Sequence, residues 1–165
     1  AIILSSEKSL EGAQRFERGK EAAKLYESAI QNGYTLSANN LARLYRYGVG
    51  CKKSYKKAVQ YYELGAQHGH ADSINGLGTL YENGHGVEKN MEKAFSLYVQ
   101  AAQSMYPFAL FNAGLCLEFG SGCKKCIRSA LKMYQLAMKR GHYHARVRAE
   151  TLIRSHLNQT VAGNL

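Results

Sequence analysis

Two cysteines and two histidines in the last third of the chain have spacings that could support metal or redox chemistry. Cys123 and Cys126 form a Cys-x-x-Cys pair, and His142 and His144 follow them. A structural zinc needs four ligands, so both pairs would have to meet. A helix of about 14 residues separates them, and such a helix is roughly 20 Å long. The spacing therefore disfavours a zinc site, and we interpret the cysteines mainly as core residues.

A glycine pair followed by lysines could form a phosphate-binding loop. Gly84 and Gly86 precede Lys89, Lys93 and a helix-like run, but such a short motif is a weak signal. Equivalent glycines occur 36 residues before and after this pair, at Gly48, Gly50, Gly120 and Gly122. An enzyme needs one phosphate loop rather than three. We therefore interpret these glycines as residues that end helices.

The repeated glycines belong to a longer pattern with a period of 36 residues. Its other columns are Ala58/Ala94/Ala130, Tyr62/Tyr98/Tyr134 and Gly65/Ala101/Ala137, and a partial earlier copy has Ala22, Tyr26 and Gly33. Self-similarity at a fixed period of about 20 to 50 residues is typical of stacked repeat proteins. A single repeat cannot bury its apolar face alone, so neighbouring repeats must stack.

Each repeat reads as a helix–turn–helix pair. Leu77, Leu80 and Tyr81 have the i, i+3, i+4 spacing of one helical face, and Gly84 can end that helix in the left-handed conformation. The second helix follows from Ala94, with Tyr98 four residues later. The predicted helices are 21–32, 37–47, 55–68, 73–83, 91–104, 108–119, 127–140 and 144–157.

At these columns the chain resembles the Sel-1-like repeat family, a relative of the tetratricopeptide repeat. Residues 77–103 are the best copy, and the resemblance covers about residues 22–157. It implies an all-α fold, an α-solenoid that winds as a right-handed superhelix, with adaptor or scaffold roles and no cofactor. The third repeat departs most from the family, at Met105, Leu117 and Met138.

The repeat register predicts the organisation of the chain. The segments are 1–20, a degenerate leading segment or partial repeat; 21–36, the second helix of a partial repeat; 37–72, 73–108 and 109–144, three full repeats; 145–157, the first helix of a further or capping repeat; and 158–165, a tail. The chain begins with Ala1, and we expect it to be part of a longer protein.

Composition narrows the class of protein and of partner. Apolar residues make up 45% of the chain, charged residues 21%, and no apolar run approaches the length of a membrane span. The formal net charge of +10 favours acidic partners. The sequence leaves the compartment open: it favours the cytoplasm slightly, and the glycosylation sequon at Asn158 keeps the lumen of the endoplasmic reticulum as the alternative.

The first helix of each repeat is expected to line a concave surface that binds a peptide or helix of another protein. The residues expected to contact this partner are Asn39, Arg43, Arg46, Tyr47, Asn75, Thr79, Glu82, Phe108, Phe111, Leu115, Glu118 and Phe119. A basic edge is expected to orient an acidic part of the partner. Its residues are Lys52, Lys53, Lys56, Lys57, Lys124, Lys125 and Arg128.

Two other function classes stay open. One is an enzyme, either a metal-dependent activity at Cys123 and Cys126 or a hydrolase like the cysteine-rich, β-lactam-binding members of the family. Ala66 and Ala102 stand where those members have cysteine, which disfavours the second form. The other class is a basic RNA-binding solenoid. Few aromatic residues alternate with the lysines, which disfavours base stacking and makes nucleic acid the weaker prediction.

Overall fold

The chain forms an all-α repeat fold, as the sequence predicts. The computed structural model describes the backbone of residues 2–162 and the side chains of residues 12–155. Its described residues form eight helices and no strand: α1 (Ile2–Gln31), α2 (Ser37–Tyr47), α3 (Tyr55–Gln67), α4 (Ala71–Asn83), α5 (Met91–Gln103), α6 (Pro107–Phe119), α7 (Ile127–Lys139) and α8 (Tyr143–Ala162). None of these helices has an apolar stretch that could cross a membrane.

The helices group into two compact units, unit 1 (Ala1–Lys89) and unit 2 (Asn90–Leu165). In unit 1 each helix packs against the next along the chain, and α2 also contacts α4. The ring of Tyr62 on α3 is buried against Gly76 on α4, where a Cβ atom would lie 2.4 Å from the ring. The repeated tyrosine therefore fills the space between one hairpin and the first helix of the next.

Unit 2 repeats this packing from α5 to α8. Tyr134 on α7 is fully buried against Gly114 on α6, beside the alanines Ala130 and Ala137. Small side chains at these positions let the helices approach closely, while the large tyrosine ring fills the space between them. Pro107 is the first residue of α6, a position that proline tolerates because its nitrogen needs no helical partner there.

The ends of the helices follow the repeat pattern. Gly48, Gly84 and Gly120 have left-handed φ values of 72°, 68° and 73° and end α2, α4 and α6. The second helices α3 and α5 begin at a polar cap, where Ser54 and Asn90 each accept a hydrogen bond from the third backbone N–H of the helix. These local signals explain why the predicted bounds of the middle helices agree with the structure to within two residues.

The first helix is longer than the sequence predicts. A helix was expected to begin near residue 21, but α1 begins at Ile2. Gly12 and Gly19 lie within it, and interior glycine weakens a helix by about 1 kcal/mol without ending it. At Gly19 the glycine serves a close approach, since a Cβ atom there would lie 2.7 Å from the backbone nitrogen of Gly50.

Met105 occupies a backbone conformation that the other repeats give to glycine. Its φ is 56°, and it is the one non-glycine residue of the described backbone with a positive φ. The equivalent positions Gly33, Gly69 and Gly141 have φ between 75° and 88°. Met105, which stands where the other repeats have glycine, therefore has a strained backbone conformation. Its half-buried side chain packs against the core of unit 2.

We expect Met105→Gly to be more stable than Met105→Ala by about 1 kcal/mol. Both substitutions lose the same packing against the core, but only glycine removes the strain of the left-handed conformation. Equilibrium urea unfolding of the two variants measures this difference. At ordinary helix positions an alanine variant is more stable than a glycine variant. If Met105→Ala were likewise more stable than Met105→Gly, the strain argument would be wrong.

Candidate partner-binding surfaces

The residues predicted on α2 and α4 differ in how accessible they are. Arg43 and Tyr47 are exposed, and 61% of the Tyr47 surface is accessible. Arg46 is half-buried because its Nη1 donates to Thr79 Oγ1 at 2.7 Å and its guanidinium lies over the Tyr47 ring. Asn75 is buried, which contradicts the exposed position expected for it. The half-buried residues also include Asn39 and Glu82.

Unit 1 contains a groove of about 640 Å³ between α1, α2 and the loop that follows α2. Arg43 and Tyr47 line it, as do two α1 residues that the sequence analysis missed, Arg15 and Phe16. A local signal for them was present in the sequence. Together with Gly12 and Gly19, these two residues follow the i, i+3, i+4, i+7 spacing of one helix face. The repeat pattern did not reach this segment, so its helix was not predicted.

The predicted aromatic patch on α6 is only partly accessible. Phe108 and Phe119 are exposed at 54% and 60%, respectively. Phe111 is half-buried, because its ring stacks on His142 at 4.3 Å between centroids and contacts Tyr134 at 5.6 Å. The half-buried Leu115 packs against the core of unit 2. Phe108 and Phe119 are therefore the accessible aromatic rings of this helix, whereas Phe111 packs against His142 and Tyr134.

Glu118 does not lie on an open surface, contrary to the expectation from its column. The residue is buried, and its carboxylate accepts hydrogen bonds from Tyr134 Oη at 2.6 Å, Arg148 Nε at 2.9 Å and Arg148 Nη2 at 2.5 Å. The guanidinium of Arg148 also lies 5.0 Å from the centre of the Phe119 ring. Burial and the neighbouring carboxylate raise the pKa of Tyr134. Glu118 therefore joins α6 to α7 and α8.

The residues of the predicted basic edge are exposed in both units. In unit 1, Lys53 lies over the Tyr55 ring and Lys57 over the Tyr45 ring, with Nζ 4.6 Å and 4.8 Å from the ring centres. The remaining exposed residues of the edge are Lys52 and Lys56 in unit 1, and Lys124, Lys125 and Arg128 in unit 2. Each group follows the turn between two helices of its own unit, where it is accessible to an acidic partner.

Comparison with known families identifies the repeat. The model of the Sel1 repeat matches residues 18–34, 35–70, 71–104 and 107–142, which together make up most of the chain. The chain belongs to the Sel1 repeat family. Proteins of this family are generally scaffolds for protein interactions. Among curated proteins, none matches this sequence.

Solved structures share the fold of this Sel1 repeat protein. A Sel1 repeat protein from Oxalobacter formigenes is 24% identical with a TM-score of 0.74, over 82% of this chain and 58% of that one. The protective antigen c5321 of uropathogenic Escherichia coli is 21% identical with a TM-score of 0.73, over 88% of this chain and 34% of that one. The present chain thus spans about a third to three fifths of their lengths.

A cysteine-rich relative also matches, but none of the four cysteines of this Sel1 repeat protein forms a disulfide bond in the described part of the chain. Helicobacter pylori cysteine rich protein B is 25% identical with a TM-score of 0.60, over 74% of this chain and 93% of that one. Cys116 is buried as expected, whereas Cys51 and Cys123 are half-buried and Cys126 is exposed. The core interpretation is therefore wrong for Cys126, which lies at the N-cap of α7.

Hydrogen bonds at the start of α7 lower the pKa of the Cys126 thiol, chiefly those with the Ser129 side chain and backbone. The Cys126 Sγ lies 3.1 Å from Ser129 Oγ. Within residues 12–155, no group of three or more His, Cys, Asp or Glu side chains is arranged to hold a metal ion. Cys126 occupies the N-cap position of α7, with its thiol beside the Ser129 hydroxyl.

His142 is buried among aromatic rings. It stacks on Phe111 and meets the Phe108 ring edge-on at 5.0 Å, and its Nδ1 has no hydrogen-bond partner among the described residues. Burial lowers the pKa of His142, and the nearby His144 adds to this effect. The neutral imidazole is therefore the form that fits this site.

We expect this Sel1 repeat protein to lose stability as the pH falls below the ordinary histidine pKa of about 6.5. The unfolded chain then binds a proton at His142 that the folded chain resists, so the loss continues down to the lowered folded pKa. His142→Tyr, which introduces the residue found at the equivalent Tyr106, should remove this contribution. Urea unfolding across the pH range measures it, with substitution of an exposed histidine of unit 1, His68→Gln, as control. An unchanged pH dependence in His142→Tyr would contradict the prediction.

Proposed function

We propose that this Sel1 repeat protein is a non-catalytic interaction module that binds a peptide or helix of another protein on α6. The observation that carries the proposal is the pair of exposed rings, Phe108 and Phe119, on one helix. They are 11 residues apart, which returns to nearly the same face and separates them by about 16 Å along the axis. A partner helix of a few turns could therefore contact both.

The chemistry of this face suits a protein partner. Aromatic and arginine residues supply much of the binding energy at protein interfaces, and α6 exposes two phenylalanine rings, one of them beside Arg148. Arg148 lies over the Phe119 ring and is held there by Glu118, so one side of that ring is fixed before any partner arrives. A ring held in place loses less entropy when the partner binds.

Affinity capture from the lysate of the source cell tests the proposal. The wild-type protein is compared with Phe108→Glu/Phe119→Glu, which places charges on the two accessible rings and leaves the packed Phe111 unchanged. The control is Met138→Glu, which adds a charge at an exposed apolar residue on α7 of the same unit. Circular dichroism checks that all three are folded.

Proteins that bind through α6 should be reduced at least tenfold in the captured sample of the double variant and unchanged in that of Met138→Glu. This size corresponds to a loss of about 1.4 kcal/mol or more, as expected for the removal of interface aromatic residues. Equal capture by the wild type and the double variant would reject α6 as the binding surface.

A further inference from the structure

The groove in unit 1 lies where the repeat pattern leaves a helix-binding face open. Helix α3 begins at Tyr55, whose backbone packs closely against Gly86 in the following turn. One period earlier, the equivalent contact joins Gly19 and Gly50, but α1 does not begin there. It is one continuous helix from Ile2 to Gln31, where the other repeats have a turn and a preceding first helix.

The face of α2 that lines the groove corresponds to the face of α4 that contacts α2. On α4, Thr79 accepts the hydrogen bond from Arg46 of α2, and the neighbouring Gly76 meets the Tyr62 ring of α3. Their equivalents 36 residues earlier are Asn40 and Arg43, and the equivalent of Tyr62 is Tyr26. All three of these residues line the groove. The groove thus has the lining against which a helix packs elsewhere in the unit.

The charge of the groove indicates what kind of helix it fits. Arg15 and Arg43 lie on opposite walls, on α1 and α2, and none of the described residues lining the groove is acidic. Phe16 and Tyr47 add exposed aromatic surface beside these cations. We propose that the groove binds an acidic amphipathic helix of a partner protein, with its carboxylates on the two arginines and its apolar side chains on the two rings.

A second copy of the chain is a poorer occupant on grounds of charge. The chain carries a formal net charge of +10, so two copies repel each other. All residues that line the groove belong to unit 1 and α6 belongs to unit 2, so this proposal extends the proposed function to a different set of residues. The binding test on Phe108 and Phe119 and the test of the groove can therefore fail independently.

A displayed library of 16-residue amphipathic peptides is the probe. Its polar positions are randomised between glutamate and lysine, and its apolar positions among leucine, phenylalanine, isoleucine and methionine. Selection on the wild-type protein should enrich glutamate over lysine at the polar positions. An enriched pool without a charge bias, or the absence of enrichment over the starting library, would overturn the proposal.

Variants then locate the binding site of the selected peptides. Arg15→Glu/Arg43→Glu should weaken the best peptide at least tenfold in fluorescence anisotropy, and Tyr47→Ala at least threefold without any change of charge. The matched control Arg140→Glu/Arg154→Glu makes the same change in net charge at exposed positions of unit 2, and it should alter the affinity less than twofold. Equal losses in the groove and control variants would show long-range attraction alone and overturn the site.

Two further measurements keep the result interpretable. Circular dichroism checks the fold of each variant, and Tyr47→Ala tests the groove if the double arginine variant does not fold. Sedimentation of the wild-type protein and of Tyr47→Ala compares their association states. A dimer that Tyr47→Ala converts to monomer would assign the groove to a second copy and overturn the acidic partner.

Discussion

Gly122→Ala is expected to lower the free energy of unfolding by about 3 kcal/mol. Two effects add. The φ of Gly122 is 70°, a conformation that costs an alanine about 1 kcal/mol or more. A Cβ atom there would also lie 2.1 Å from the carbonyl oxygen of Met91, at the start of α5. That oxygen belongs to the backbone, so the turn or the helix would have to move.

Gly141→Ala is the matched control for this prediction. Gly141 has a φ of 85°, but no atom lies within 4 Å of where its Cβ would be. Its substitution should therefore cost about 1 kcal/mol, from the backbone conformation alone. Denaturant unfolding of both variants, followed by circular dichroism, gives the difference of about 2 kcal/mol that we assign to the close approach. Equal losses would show that the contact with Met91 relaxes at no cost.

The contact at Gly122 explains why the repeat has two glycines in its turn. The first, such as Gly120, ends a helix in the left-handed conformation. The second allows the turn to touch the start of a second helix in the preceding hairpin, as Gly86 does at Tyr55. The equivalent Gly50 touches the interior of α1 at Gly19. The Gly-x-Gly motif, which resembles a phosphate-binding loop, therefore allows the turn of one hairpin to pack closely against the preceding hairpin.

The sequence predicted those features that recur in every repeat. The tyrosine and glycine columns located α3 to α7, because each repeat repeats the same local signals and the same packing. The extension of α1 was missed because residues 2–18 have no repeat columns to compare with. Helix-face spacing around Arg15 and Phe16 was present there, but it is a weaker signal than an aligned repeat.

The candidate site was predicted less well than the fold, because contacts made in one repeat alone decide which side chains are accessible. The column of Arg148 contains Gly76 and Asn112 in the preceding repeats. Among these three positions, only the one on α8 therefore carries a cation, Arg148, which pairs with Glu118 near the end of α6. In the same way, the positions equivalent to His142 in the earlier repeats are Tyr106 and His70. The residue type varies at this position, so the repeat pattern did not predict that His142 stacks on Phe111.

The second large effect is expected at this unique pair: Glu118→Ala should lower the free energy of unfolding by about 2 to 3 kcal/mol. The substitution leaves the buried Tyr134 hydroxyl and the Arg148 guanidinium without their shared acceptor. The full cost of breaking a buried ion pair is larger, about 3 to 5 kcal/mol. A third of the Arg148 side chain is accessible to water, which limits the loss.

Glu150→Ala provides the control, because its carboxylate pairs with Arg146 on the exposed side of α8. An exposed pair contributes about 0.5 kcal/mol or less. A double-mutant cycle of Glu118→Gln with Tyr134→Phe, measured by urea unfolding, separates the tyrosine bond from the arginine pair. If Glu118→Ala costs no more than Glu150→Ala, then water replaces the carboxylate and the pair is not structural.

Substitution of Glu118 by glutamine tests whether the ion pair that stabilises unit 2 also supports binding on α6. Glu118 holds Arg148 over the Phe119 ring, so Glu118→Gln should release the cation from this ring while leaving a residue of nearly the same size. If partners bind to a ring that is fixed in advance, the folded Glu118→Gln variant should bind them several-fold more weakly than the wild type. Arg148→Lys, which keeps the charge but loses the paired hydrogen bonds, should have the same effect. Unchanged binding in both folded variants would show that Phe119 acts without support from Arg148.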